Sequence, residues 1–335
     1  MGQIRFGYQV DFRNPPGSGR SFKELYDAMF AQIERAEQLG FDSIWLTEHH
    51  LTDDGYLPAL MPMAAAIAAR TRRVHIGTYV LLFPFYHPIK LAEDIAVVDV
   101  ISGGRLRIGV GQAYRAEEFA AFGIDKKQRL GRTLETVEIL KLAWAGERFS
   151  FKGKYFELND VRVLPRPLSQ PHPELLWGVG APRAIQRAAA MGLSFATVGA
   201  ASAVRIYHDA LRAHGKDPAQ FSVVGSRNVY VADSAEQAWK DFEGPSMYWA
   251  EHYGRWLSQH AGTDISKAPI RPEPERLKRT SVLGPPAEVR ARLARVIQED
   301  KLTDLIINLQ LPGLDPAKGM RALERFGTEV LPFLK

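Results

Sequence analysis

Short apolar runs alternate with longer stretches of helical periodicity, and this alternation limits the fold more than any single motif does. In the first unit, Ile4–Val10 predicts a strand, Ser21 and Glu24 form a capping box that begins a helix, and Gly40 ends that helix. Eight runs predict strands: Ile4–Val10, the run that follows Gly40, Val74–Leu82, Arg105–Val110, Leu175–Val179, Ser194–Val198, Phe221–Val231 and Thr303–Leu309. Eight alternating units favour a closed (β/α)8 TIM barrel of the α/β class over an open parallel sheet.

Two segments interrupt the series. Phe149–Phe151 and Tyr155–Leu158 predict a small hairpin inserted between units. Gly262–Leu283, after the seventh strand, is rich in Pro, Lys and Arg and has no periodicity, so it predicts a mobile loop that acts as a lid, or a disordered segment. The Pro-rich connector Pro165–Pro173 lies inside the βα series, and we therefore expect residues 1–335 to form a single domain.

Composition excludes several classes of protein. The chain has no cysteine, which excludes disulfides and thiolate metal sites. No apolar run approaches the roughly 20 residues of a membrane span, and no signal peptide is evident at the N-terminus, so we expect a cytoplasmic protein without a membrane partner. The net charge is +5, but the basic residues are scattered apart from Arg271–Arg279. This distribution argues against a nucleic-acid partner and would suit a phosphate-bearing cofactor.

The second predicted strand ends in Thr47-Glu48-His49-His50, at the strand end where barrels of this kind place their chemistry. Successive side chains on a strand point to opposite faces, so only one histidine can face the barrel axis, and we predict no metal site here. That histidine could serve in acid–base chemistry near neutral pH, or could satisfy a structural hydrogen bond. Glu48 could pair with a histidine or with an arginine.

Two glycine-containing turns are further candidates. Gly109–Tyr114 follows the fourth strand but lacks the third glycine of a dinucleotide fingerprint, so it indicates either close approach of a ligand or a tight turn. In Trp177–Arg183 a strand runs into small residues and then into a helix with Pro182 at its start. The free N–H groups of such a helix start can bind an anion, and Arg183 could add charge, although a plain helix start has the same pattern.

Several segments, in order along nearly the whole chain, together resemble one family. They include Thr47–His50, Gly77–Val80, Ser102–Arg105, Gly109–Gly111 and the C-terminal Glu329–Leu334. The family is that of the bacterial-luciferase-like flavin-dependent monooxygenases. The resemblance implies a (β/α)8 barrel that takes reduced FMN from a separate flavin reductase, uses O2 to oxidise a small organic substrate, and forms a homodimer.

The resemblance also assigns residues. His49 matches the active-site histidine of the family, and His50 would point away from the site. Tyr79 and Val80 match a strand bulge under the flavin ring, often with a cis peptide bond. Gly180-Ala181, with Arg183, match the turn that binds the phosphate.

One position departs from the family pattern. Many relatives carry an arginine after Gly111 that contacts the phosphate or the flavin, and this chain has Gln112, which keeps hydrogen bonding but loses the charge. Arg115 or Arg183 could compensate. Tyr114 in the same loop is a further candidate cofactor contact.

Alternatives remain open at this point. The same barrel could serve an F420-dependent dehydrogenase that transfers hydride, a non-catalytic flavin-binding protein, or a phosphosugar enzyme. For the expected dimer, Leu57, Leu60, Met61 and Met63 could supply an apolar contact patch, or they could pack in the core.

Overall fold

The computed structural model describes residues 4–197 and 201–335, and it contains a closed barrel of eight parallel strands. The barrel strands are β1 (Arg5–Gln9), β2 (Ser43–Leu46), β3 (His75–Thr78), β4 (Leu106–Gly111), β5 (Glu174–Gly178), β6 (Ser194–Ala196), β7 (Val223–Val231) and β8 (Asp304–Asn308). Each strand pairs with the next, and β8 returns to β1 with Arg5 opposite Asp304, which closes the ring. The predicted (β/α)8 barrel is therefore confirmed, although Val198, the predicted end of the sixth strand, lies outside the described residues.

Helices surround the barrel. The main ones are α1 (Phe22–Gln38), α2 (Leu60–Arg70), α3 (Pro88–Ser102), α4 (Arg129–Trp144), α5 (Pro182–Ala190), α6 (Ala201–Ala213), α7 (Ala235–Ala261), α8 (Pro286–Asp300) and α9 (Pro316–Glu329). The predicted capping box begins α1: Ser21 Oγ accepts the Glu24 N–H, and the Glu24 carboxylate accepts the Ser21 N–H. Gly40, just beyond the end of α1, has a φ of 92°, which glycine adopts without a steric penalty.

The barrel interior is filled with side chains. One buried layer consists of Trp45, Leu176, Ala196, Val224 and Ile306. Trp45 fits only because its neighbours are glycines: a Cβ would lie 2.4 Å from its Nε1 at Gly7, and 2.2 Å from its ring at Gly77. This layer therefore separates the mouth at the carboxyl ends of the strands from the opposite end of the barrel.

Beneath that layer the barrel holds a buried ion network. Arg107 donates to Glu174 and to Asp304, at 2.6 Å in each case. Arg5 donates to the same Asp304 at 2.8 Å. A cavity of about 440 Å³ opens at this amino-terminal end of the barrel. The charges of Arg5, Arg107, Glu174 and Asp304 already neutralise one another, so we assign this ion network a structural role.

The segment from 262 to 283 differs from expectation. It was expected to lack secondary structure, and this is wrong: it contains a 3-10 turn at Ile265–Lys267 and a helix at Pro274–Thr280, and it leads into a strand at Val282–Gly284. That strand pairs in parallel with the end of β7. Pro274 begins a helix instead of breaking one, and elements this short show no periodicity in a sequence. Movement of this segment as a lid stays a prediction.

Two smaller expectations are resolved. Phe149–Lys152 pairs antiparallel with Glu157–Val161, which confirms the hairpin insertion. The apolar residues Leu57, Leu60, Met61 and Met63 are buried within the chain, so the core-packing alternative holds and they cannot form a dimer patch.

Among the helices of the described ranges, none is both long enough and apolar enough to cross a membrane.

Candidate active site

A cavity of about 450 Å³ opens at the barrel mouth, between the carboxyl ends of β2 to β6 and helix α7. Its volume lies within the range of small-molecule and cofactor sites. Seven of the eight predicted site residues line it: His49, Tyr79, Val80, Gln112, Tyr114, Gly180 and Ala181. Arg183 does not line it and is exposed on α5. The fold therefore brings together side chains that are far apart in the sequence.

His49 is buried at one side of this cavity. Its Nδ1 lies 2.9 Å from Glu118 Oε1, and its Nε2 lies 3.3 Å from the Tyr114 hydroxyl. Tyr56 and Trp256 pack on the imidazole, each with a ring-centroid distance of 4.9 Å. The histidine is thus fixed in orientation by one carboxylate and by aromatic walls.

The protonation state of His49 follows from these surroundings. Burial lowers the pKa of His49, and the positive charges of Arg115 and Arg13 add to this, so that together they outweigh the opposing effect of Glu118. The imidazole is neutral at pH 7. Because an ionised carboxylate can only accept, Nδ1 carries the proton, and Nε2 is left as an acceptor facing the cavity.

Glu118 is fully buried on the short helix Ala116–Ala121. Burial acts to raise the pKa of Glu118, but hydrogen bonds from His49 and from the His50 N–H, together with the charge of Arg115, hold this pKa below its usual value. Its second oxygen, Oε2, has no hydrogen-bond partner among the described residues. Glu118 is therefore an ionised buried carboxylate that accepts hydrogen bonds from the His49 ring and from the His50 backbone N–H.

His50 lies on the other side of β2 and does not line the cavity. Its Nε2 is 2.9 Å from Glu48 Oε1, and its ring packs edge-on against Phe85 and Phe122. Glu48 also accepts the Tyr86 hydroxyl at 2.6 Å. The open question about Glu48 is resolved, since it pairs with a histidine, and of the two histidines only His49 lines the cavity.

Val80 forms part of the floor of the cavity. The Tyr79–Val80 peptide bond is cis, as the resemblance implied. A Cβ at Gly111 would lie 2.4 Å from Val80 Cγ2, and one at Gly178 would lie 2.6 Å from Val80 Cγ1. Gly111, at the end of β4, therefore makes room for Val80. The sequence alone had suggested close approach of a ligand or a tight turn as the reason for this glycine.

The cavity also offers groups that attract an anion. Gly180 and Ala181 line it immediately before α5, and no side chain of the described residues caps the first-turn N–H groups of that helix. Arg129, at the start of α4, lines the same cavity. These groups suit an anionic ligand.

Arg115 does not fill the role left by Gln112. It is buried, donates to the His50 carbonyl oxygen at 2.6 Å, and lies over the Trp256 ring at 4.5 Å. Its side chain is thus committed to the wall behind His49. Arg129 is the arginine that reaches the cavity, and Gln112 lines the cavity alongside it.

Several cavity residues were not identified from the sequence. These are Tyr56, Arg129, Tyr253, Leu257 and His260. The last three lie on α7 near its C-terminal end, beyond Pro245, where the pattern did not show how far the helix extends. Glu118 was not identified as a site residue either, because a single acid on a short helix ordinarily faces solvent.

The fold and the mouth cavity define an enzyme of the (β/α)8 barrel class. A sequence profile described as luciferase-like monooxygenase matches residues 4–303, and the chain belongs to this family.

Relatives of two kinds match most of the chain. The oxygenase component of the flavin-dependent trigonelline monooxygenase of Acinetobacter baylyi is 26% identical over 332 residues, 92% of this chain and 90% of that protein. The F420-dependent glucose-6-phosphate dehydrogenase of Kineococcus radiotolerans is 28% identical over 321 residues, 90% of this chain and 91% of that protein. The crystal structure of the monooxygenase RslO1 from Streptomyces bottropensis is 28% identical, covers 99% of this chain and 100% of that one, and superposes with a TM-score of 0.84. The protein is an oxidoreductase of this family.

Proposed function

We propose that the protein is the oxygenase of a two-component flavin-dependent monooxygenase, using reduced FMN from a separate reductase and O2 to oxidise a small organic substrate. The observation that carries the proposal is the cavity itself, which is lined both by a neutral, oriented His49 and by the uncapped start of α5. The likeness to the trigonelline monooxygenase oxygenase component over 92% of this chain supports it.

The residues of the cavity fit FMN. Val80 and Tyr79 offer a flat, largely apolar floor for a ring system, while Gln112 offers amide hydrogen bonds at its edge. The phosphate would lie at the helix start beside Gly180 and Ala181, and Arg129 would add a positive charge to the same cavity. Bound FMN would supply the oxygen chemistry, and the protein would supply binding, orientation and electrostatics.

His49 would accept a proton at Nε2 and give it back during the reaction. Its Nε2 faces the cavity as an acceptor, and when it gains a proton the carboxylate of Glu118 stabilises the resulting imidazolium. Tyr114, which contacts Nε2, would orient the ligand group that His49 meets.

The cavity would also exclude water during the reaction. Tyr253 and Leu257 of α7 form one wall. We propose that the segment 262–283 closes over the mouth, because it follows directly on α7 and joins the end of β7 through Val282–Gly284.

A direct experiment combines binding and turnover. Anaerobic titration with reduced FMN and with reduced F420 tests the choice of cofactor, and oxygen uptake with a flavin reductase and a panel of candidate substrates tests the reaction. His49→Ala should retain FMN binding and lose substrate oxidation relative to peroxide release. Unchanged coupling in His49→Ala would remove His49 from the mechanism.

A second candidate is an F420-dependent hydride-transfer enzyme. The match to the Kineococcus dehydrogenase over 90% of this chain favours it. Tight binding of F420 with no measurable binding of FMN, and substrate oxidation without O2, would select this candidate over the monooxygenase.

We also propose a homodimer. Helix α3 exposes Val97, Val100 and Ile101, an apolar face that nothing within the described chain covers. Light scattering on the wild type and on Val97→Asp/Ile101→Asp checks this. A wild-type monomer at micromolar concentration would contradict it.

A further inference from the structure

A second cavity, of about 520 Å³, lies beside the active-site cavity, between β7, β8, α7, α8 and the segment 269–280. Six arginines line it, and no acidic residue among the described ones does. These arginines are Arg227, Arg271, Arg276, Arg279, Arg292 and Arg295. A cleft lined by one sign of charge focuses its potential and attracts ions of the opposite sign, here anions.

Most of this charge is unpaired. Within the described residues, Arg227 pairs with Asp300, and Arg271 lies 3.3 Å from Glu273. The other four arginines have no carboxylate within ion-pair distance in the described ranges.

Those four arginines divide into two kinds. Arg276 and Arg292 donate to backbone carbonyl oxygens, of Pro269 at 2.9 Å and of Ser281 at 2.6 Å, and this holds them at the wall of the cavity. Arg279 and Arg295 make no side-chain hydrogen bond or ion pair with a described residue. Planar guanidinium groups in such an array match the oxygens of a phosphate or a carboxylate.

A buried polar atom that lines the cavity also lacks a hydrogen-bond partner among the described residues. Asn308 is more than nine-tenths buried and lines the cavity, and its Oδ1 has no hydrogen-bond partner in the described part of the chain. Its Nδ2 donates to Asn228 Oδ1 at 3.1 Å. This buried acceptor is available to a hydroxyl or amine donor of a ligand in the cavity.

Only a thin wall separates the two cavities. Tyr79 lines the active-site cavity, where its hydroxyl donates to the Thr197 carbonyl oxygen, and it lies close to Ser226 and Arg227, which line the arginine cavity. On α7, Tyr253 faces the first cavity and Trp249, one turn earlier, faces the second. Residues at the carboxyl ends of barrel strands line both cavities, Ala196 of β6 in the first and Asn308 of β8 in the second, so a molecule that passes over this wall could place one end beside a bound flavin and the other among the arginines.

We propose that the arginine cavity binds the anionic group of the substrate, and that the substrate is a small organic molecule carrying a phosphate or carboxylate group. This inference rests on the proposed function, because it takes the first cavity as the place of reaction. The phosphate of FMN has its own helix start at Gly180 and Ala181, which leaves the arginines for a different anion.

The test measures binding of inorganic phosphate and of succinate to the full chain, with and without saturating FMN, by calorimetry at constant ionic strength with chloride as the reference anion. The cavity variant is Arg279→Gln/Arg295→Gln, because these side chains hold no structural contact. The matched control is Arg205→Gln/Arg321→Gln, two exposed arginines outside the cavity. FMN affinity is measured for all three proteins.

We expect phosphate or succinate to bind to the wild type more tightly than chloride does. The cavity variant should lose at least tenfold in that anion affinity, and the control variant should stay within twofold of wild type. The FMN affinity of all three proteins should agree within twofold. The stronger of the two anions identifies the chemistry of the substrate group. Binding no stronger than that of chloride, or equal loss in the control, would overturn the inference. Arginine-dependent anion binding without FMN binding would instead keep this site and reject the proposed function.

Discussion

Replacing Glu118 with glutamine should make His49 markedly harder to protonate. The carboxylate lies 2.9 Å from His49 Nδ1, and it is the acidic group that opposes the effect of burial on the imidazole. An opposite charge at such a distance shifts a pKa by about 1 to 3 pH units. Glu118→Gln should therefore lower the pKa of His49 by about that amount, equivalent to about 1.4 to 4 kcal/mol against the imidazolium.

The assay is NMR titration of the His49 ring, together with the pH dependence of substrate-coupled oxygen uptake. The acid limb of the rate profile should move to lower pH in step with the NMR titration. Glu117→Gln is the matched control, because it neutralises the neighbouring acid on the same short helix, where the side chain is exposed. An unchanged His49 titration in a folded Glu118→Gln protein would refute the reasoning.

The same groups predict how stability depends on pH. Both His49 and Glu118 have pKa values below their ordinary ones in the folded state, so the unfolded chain binds more protons than the folded one. Their contribution to stability is fully present above the unfolded pKa values, about 6.5 for the histidine, and is lost as the pH falls through the folded values. Urea unfolding of the wild type should show stability declining from pH 7 to pH 5, with His49→Asn flattening the upper part of that decline. Equal slopes in both proteins would contradict this.

The remaining predictions concern the floor and the anion-attracting groups of the active-site cavity. Gly111→Ala places a methyl group 2.4 Å from Val80 Cγ2, so it should lower the free energy of unfolding in urea by about 1–3 kcal/mol and weaken FMN binding. Gly244→Ala is the control, because open space surrounds Gly244, and it should change neither quantity in this way. Arg129→Gln should weaken FMN binding by about tenfold to a hundredfold, the loss of about 1.5–3 kcal/mol expected for a charge-assisted hydrogen bond. Arg183→Gln should change FMN binding little, because Arg183 lies outside the cavity. Fluorescence titration checks both pairs, and a larger loss in Arg183→Gln would restore the family assignment of that residue.

The barrel could be predicted because its information is local. Each buried strand of a parallel sheet is a short apolar run, and capping residues such as Ser21 mark where a helix begins, so the strand count needed no long-range contact. The position of His49 at the end of its strand followed from the same local pattern. The segment 262–283 could not be predicted, because its short helix and three-residue strand depend on packing against β7 and α7.

The partners within the site also lay beyond the sequence. His49 and Glu118 are 69 positions apart, and the residues between them only show that both lie near strand ends. Arg129 looked like an ordinary residue at the start of an amphipathic helix, yet it lines the cavity, whereas Arg115 and Arg183, the arginines suggested to compensate for Gln112, do not. Which of several arginines reaches a cavity depends on tertiary geometry, and no spacing rule contains that information.

The tryptophan layer, with its flanking glycines at Gly7 and Gly77, closes the barrel below the active-site cavity. Under the proposed function, cofactor, oxygen, substrate and product would all enter and leave at the carboxyl ends of the strands. The molecule bound deepest would then bind first and leave last. Trp45 would in this way impose an order of addition in steady-state kinetics without touching any reactant.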